Sequence, residues 1–200
     1  NLLNNMVDMK KSFLMVAAII SGFLFTGCGY NKMVSLEESV SSAWAQVENV
    51  YQRRADLIPN LVETVKGYAQ HEQETLTRVI EARSQATSMK VDPANLTPDA
   101  IRQFQEAQQG LSSALSRLMV VVEQYPDLKA NQNFLDLQAQ LEGTENRITV
   151  ERMKFNETTQ AYNAFIRRFP ELITAKILGF DKKPYFEAQQ GAEKAPEVRF

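Results

Sequence analysis

Few side chains in this 200-residue chain could do chemistry: one cysteine (Cys28), one histidine (His71), and a set of charged residues within otherwise apolar helical stripes. A single cysteine cannot close an intramolecular disulfide, and one histidine is a poor start for a metal site. Di-metal centres in helical bundles take Glu-x-x-His motifs, whereas the residue three before His71 is Tyr68. No serine sits in a G-x-S-x-G turn of the kind that exposes a nucleophile. These absences predict a protein that is not an enzyme, with no cofactor and no metal.

Cys28 is explained by its neighbours. Lys10 and Lys11 precede an apolar run, residues 13–25 (FLMVAAIISGFLF), and the small residues Thr26 and Gly27 lead into the cysteine. That order is the one of a secretory signal peptide, and the run is short for a membrane span. The arrangement resembles a bacterial lipobox, with Phe25 in place of the usual aliphatic residue. It predicts cleavage before Cys28, lipid on its sulfur, and attachment to the membrane through that N-terminal lipid. The other reading is an uncleaved anchor with an incidental cysteine. Residues 1–27 are accordingly read as a leader, with Met6 or Met9 a more plausible start than Asn1, and residues 28–34 as the lipidated terminus and tether.

The seam charges are the second candidate. The spacing of Val47 and Tyr51 carries Arg54 onto an apolar stripe, and that of Val65 and Tyr68 carries Glu72 there. Farther on, Glu145, Arg152 and Asn156 flank the stripe that holds Leu141 and Ile148. Charge in such positions is costly unless paired and hydrogen-bonded. Arg54, Glu72, Glu145, Arg152 and Asn156 therefore form either a polar layer that fixes helix register or the wall of a cleft for a ligand or partner.

The elements that position these residues read as helices. Apolar residues at steps of three and four, from Val40 through Trp44, Val47, Tyr51, Ile58, Leu61 and Val65 to Val79, predict one helix over about 35–86. Ser35 and Glu38 form its capping box, and Pro59 is a potential kink. The linker MKVDPANLTPDAI separates it from a second helix, with Thr97 as cap and Pro98 in the first turn. Ile101, Phe104, Gln108, Leu111, Leu115, Leu118 and Val122 set its buried face. A third helix over about 131–169 carries Phe134, Leu141, Ile148, Phe155, Tyr162 and Phe169 at seven-residue spacing. A short helix then ends near Gly179, suited to a left-handed cap. The fold class is all-α, an elongated bundle of three long up-down helices plus a short C-terminal helix, spanning 35–179. Residues 180–200 are expected to be extended or disordered, with Tyr185 and Phe186 available to dock.

The segments RRADLIPNLVETVKGYAQHE, YPDLKANQNFLDLQAQLEGTENRI and RMKFNETTQAYNAFIRRFP, in that order, resemble the LemA family of bacterial envelope proteins. The resemblance implies a LemA-like four-helix bundle, membrane-anchored and facing away from the cytoplasm, and it implies no settled activity. Many relatives are anchored by an N-terminal transmembrane helix, where this chain carries the lipobox.

Composition narrows the partners. With 22 basic and 24 acidic side chains, the net charge is −2. The chain as a whole thus lacks the basic footprint of a nucleic-acid binder. The expected role is a non-catalytic scaffold or adaptor of the cell envelope, lipid-anchored and facing the periplasm or exterior, in the outer membrane where the cell has one. Its expected partners are another envelope protein and copies of itself. The alternative is a periplasmic ligand-binding or sensory module that uses the polar seam. A ligand module requires a cavity reaching Arg54 and Arg152; a scaffold requires a closed seam and an exposed apolar patch.

Overall fold

The computed structural model describes the backbone of residues 2–187 and the side chains of residues 29–187, Ala94 excepted. The side chains of the leader and of Cys28, and the end of the tail, 188–200, lie outside the described residues. All described elements are helical: α1 (Leu2–Lys66), α2 (Gln73–Ser88), α3 (Pro98–Val122), α4 (Pro126–Lys129), α5 (Gln132–Phe165) and α6 (Glu171–Leu178), with a 3₁₀ turn at Pro93–Asn95. The protein is an all-α bundle in which α1 packs along α5, and α2 packs back against α1 and α3.

Two boundaries differ from the sequence reading. Ser35 is not a cap, because α1 is already helical upstream of it and no proline precedes it to break the ladder. Residues 29–34, expected as a tether, belong to this helix, and Met33 is fully buried in the core. The single helix expected over 35–86 is two helices, broken at 67–72 by turns in which Tyr68 and Ala69 both donate to the Val65 carbonyl. A stripe with steps of three and four is the same whether a helix continues or folds back on itself. Only Gly67 marked the reversal, and Tyr68 turns out towards solvent there.

Pro59 stays inside α1. Proline has no N–H, so the carbonyl four residues earlier loses its helical donor. That carbonyl is Ala55, and Arg83 of α2 supplies the missing donor through Nε at 2.8 Å. Elsewhere the local signals act as read. The Thr97 hydroxyl accepts from the Ala100 amide at 3.1 Å, and Gly179 closes α6 at φ +78°. Asn131 caps α5 by accepting from the Phe134 amide.

The apolar stripes close into two cores. The near core, towards residue 29, holds Met33, Val40, Trp44, Val47, Tyr51, Phe104, Ile148, Phe155 and Tyr162. The far core holds Ile58, Leu61, Val65, Val79, Leu111, Leu118, Leu128 and Phe134. The seven-residue series on α5 is buried from Phe134 to Tyr162, whereas Phe169 is 83% exposed. α5 ends at Phe165, so helical spacing no longer returns Phe169 to the core face.

Candidate functional site

Between the two cores lies a polar layer. On α1 it falls at Arg54, between Tyr51 and Ile58; on α3 at Gln108, between Phe104 and Leu111; on α5 at Thr144 and Glu145, between Leu141 and Ile148. Arg54 is 2% exposed. Its Nη1 donates to Glu145 Oε2 at 2.9 Å and to Ser112 Oγ at 3.0 Å. Its Nη2 donates to Gln108 Oε1 at 2.7 Å and to the Gln108 carbonyl at 3.3 Å. The guanidinium also lies over the Tyr51 ring, 5.1 Å from its centroid, a cation–π contact.

Gln108 extends the layer to the fourth helix by donating to the Ala86 carbonyl at 3.2 Å. Ala86 is in the last turn of α2, where carbonyls lack helical partners. One arginine and one glutamine thus tie α1, α2, α3 and α5 together at a single level. The pair is asymmetric: Arg54 is buried, while half of the Glu145 side chain is in water. Most of what holds the cation in place is neutral oxygen, and Arg54 Nε has no partner.

The other expected layer members are elsewhere. Glu72 sits at the far end, half-buried, and accepts from the Tyr125 hydroxyl at 3.1 Å. The turn at 67–72 removes it from the α1 stripe. His71 is exposed in the same turn. Arg152 and Asn156 belong to a second constellation that sequence spacing did not define, in which side chains of α5 hold the extended segment 181–187 by its backbone.

In this strap, Asn156 accepts from the Phe186 amide at 2.9 Å and donates to the Phe186 carbonyl at 3.1 Å. Asn163, seven residues on, makes the same pair with Lys183, at 2.9 and 2.8 Å. Each carboxamide replaces the donor and acceptor that a neighbouring strand would offer. Tyr162 donates to the Asp181 carbonyl at 3.0 Å, and both Arg152 and Gln105 donate to the Glu187 carbonyl. So held, Phe186 fills the near core, stacked on Trp44 at 5.6 Å and edge-on to Phe155 at 5.3 Å, with Arg152 over its outer face. Trp44 is thereby a core residue rather than an exposed anchor.

Burial, followed by the nearby Glu37 and Asp181 charges, pushes the Tyr162 hydroxyl well above the usual tyrosine range. Burial also raises the Tyr51 hydroxyl, against the opposing pull of Arg152 and Arg54.

A cleft of about 630 Å³ opens between the layer and the strap, lined by Arg54, Arg102, Gln105, Glu145, Arg152 and Glu187 among others. It reaches both arginines required of a ligand site. The molecule also carries exposed apolar side chains on α6. Cavity and patch coexist, so the distinction drawn from the sequence does not by itself separate the two readings. Among the described residues no group of three or more His, Cys, Asp or Glu side chains could hold a metal ion.

Of the residues sequence reasoning did not assign to the layer, Gln108 was the most legible: a polar side chain in an otherwise apolar series. Ser112, Gln105 and Asn163 carried no such mark, because their roles depend on which helix or strap segment faces them.

A helical bundle with one buried arginine layer and a backbone-clasped C-terminal strap defines the class. The chain belongs to the LemA family, whose pattern it matches over residues 43–200. It is similar to magnetosome protein MamQ of Magnetospirillum gryphiswaldense, with 26% identity over 91% of this chain and 72% of that protein. Magnetosome protein MamQ 2 of Paramagnetospirillum magneticum is also 26% identical, over 92% and 73% of the two chains. Protein LemA of Metamycoplasma hominis is 22% identical over 89% and 77%.

Proposed function

We propose that this protein is a non-catalytic adaptor of the bacterial cell envelope, held to a membrane by lipid on Cys28, with its helical bundle facing away from the cytoplasm. The observation that carries this reading is that α1 is helical through Cys28 and Gly29, with Met33 already in the core. A bundle anchored there stands on the membrane with no slack between lipid and fold. Several lipid chains hold a protein stably where one does not. Among residues 29–187 no helix is long and apolar enough to cross a membrane. Most polar groups of the seam are bonded to one another or to backbone, which supports a scaffold over a catalyst.

Metabolic labelling with a fatty-acid analogue tests the anchor: wild type should take the label and Cys28→Ala should stay unlabelled and uncut. Label that persists in the mutant defeats the reading. Crosslinking in intact envelopes, followed by capture of the protein, should recover a discrete envelope partner.

The cleft favours a second reading, a periplasmic ligand-binding or sensory module, because Arg102 and Arg152 line it and are accessible. In that case Arg102→Met, which removes only an exposed ion pair with Asp99, leaves the melting temperature nearly unchanged and abolishes capture of the partner or ligand. Unaltered capture by that variant rejects the ligand reading.

A further inference from the structure

The end of the bundle beside Cys28 carries an apolar surface that the fold leaves uncovered. On and just before α6, Phe169, Leu172, Ile173, Ile177 and Leu178 are exposed, from 38% for Leu172 to 83% for Phe169. Ala175 alone in α6 is buried, against the near core. α6 packs on the first described turns of α1: a β-carbon on Gly29 would stand 3.7 Å from Glu171 Cγ. Tyr30, itself 44% exposed, lies edge-on to Phe180 at 5.9 Å.

Around this surface stand Lys32, Arg167, Arg168, Lys176 and Lys182, all exposed. None of them makes an ion pair among the described residues. Lys183 is taken by Glu37 at 2.7 Å, and Glu171 and Asp181 are the nearby acids in sequence. A chain that is slightly acidic overall therefore places five cations without an ion pair among the described residues around this apolar surface.

We propose that this face of α6 lies in the interface of a lipid bilayer bearing acidic phospholipids, as a second membrane contact beside the Cys28 anchor. The proposal rests on the anchored reading above. Cys28 and Gly29 are consecutive in α1, a rise of about 1.5 Å, so lipid on the cysteine brings α6 down to the same surface. An apolar face ringed by lysine and arginine is the chemistry that seats a helix in the interface, about 5–10 Å into the headgroup boundary. The described part of the tail, from Asp181 to Glu187, runs back along α5 from Tyr162 to Arg152, away from α6.

The test uses the full-length lipidated protein in vesicles of phosphatidylcholine and phosphatidylglycerol with brominated acyl chains. A tryptophan is added by Ile177→Trp on α6 or by Val120→Trp near the far end of α3, both at exposed apolar positions. The emission added at 177 should be blue-shifted, quenched by the brominated lipid and shielded from acrylamide, and the quenching should fall when phosphatidylglycerol is omitted. The emission added at 120 should respond to acrylamide alone. Protein that floats with the vesicles while position 177 behaves like position 120 overturns the α6 contact and leaves the anchor standing. Protein that fails to float overturns the anchor and the proposal with it. Shielding at 177 that follows protein concentration and ignores brominated lipid assigns the surface to a second copy and overturns the lipid contact.

Discussion

The two cores on either side of Arg54 are built differently. The far core is aliphatic but for Phe134, and its walls are the helices α1 to α5 with Ala69 added from the turn at 67–72. The near core is aromatic, with Trp44, Tyr51, Phe104, Phe155, Tyr162 and Phe186 in it. There α2 has already ended at Ser88 and α3 has barely begun. Irregular chain takes the place of helix: Val91 and Leu96 from the linker, and Phe186 from the strap, are all buried. A helix satisfies its own backbone, whereas extended chain laid on a core must find partners for its amides and carbonyls. The near half therefore needs Asn156, Asn163, Tyr162, Arg152 and Gln105, and the far half needs no equivalent.

The largest effect expected is from Phe186→Ala, which empties the space between Trp44 and Phe155. Loss of a buried aromatic costs about 4 kcal/mol. Hydrogen exchange should show the near half losing protection first, while amides around Leu111 and Leu118 exchange as in wild type. Uniform loss over both halves would mean the two cores open as one unit.

Next is the boundary layer. Glu145→Ala leaves the Arg54 cation buried with neutral acceptors alone, at about 3 kcal/mol, the low end of the fully buried range because Glu145 is half in water. Arg54→Met removes the buried cation and leaves the carboxylate hydrated, so its melting temperature should fall less than that of Glu145→Ala. The opposite order would show that the hydrogen bonds to Gln108 and Ser112 outweigh the charge. A stable Arg54→Met protein that no longer captures its partners would turn the layer into the functional site.

Asn163→Ala removes both bonds to Lys183 and should cost about 2 kcal/mol, confined to the near half. Limited proteolysis should then cut the strap near Lys182 and Lys183 faster than in wild type, and the same substitution at Asn156 should expose Phe186. Smaller still is Arg83→Ala, about 1 kcal/mol for the bond to the Ala55 carbonyl. In a Pro59→Ala background, where the helix regains its own donor, the cost should shrink; a double-mutant melting cycle measures this.

The subtlest difference is in alkali. The folded state holds the Tyr162 proton to higher pH than the unfolded chain does. Its contribution is complete below the unfolded value of about 10 and is lost as pH rises above it. Tyr162→Phe should flatten that alkaline decline in melting temperature, at the expense of one hydrogen bond to Asp181 at neutral pH. An unchanged decline would assign it to other groups.

The far half was legible in the sequence because its information is local: steps of three and four mark a helix face wherever the partner lies, and caps such as Thr97 act on amides a few residues away. The same locality left the reversal at Gly67 almost unsigned, since a stripe reads alike on one helix or two. The presence of charge in the seams, at Arg54 and Glu145, was legible too. What the sequence by itself determined was thus the helical class, the buried faces of the helices and the polar positions among them. Tertiary structure alone decided that Arg54 meets Gln108 and Glu145 while Glu72 goes to Tyr125, that two asparagines seven residues apart clasp a strap, and that α6 leaves its apolar side chains uncovered. Each of these depends on which groups lie opposite one another across the bundle, and a pairing between distant segments has no period along the chain.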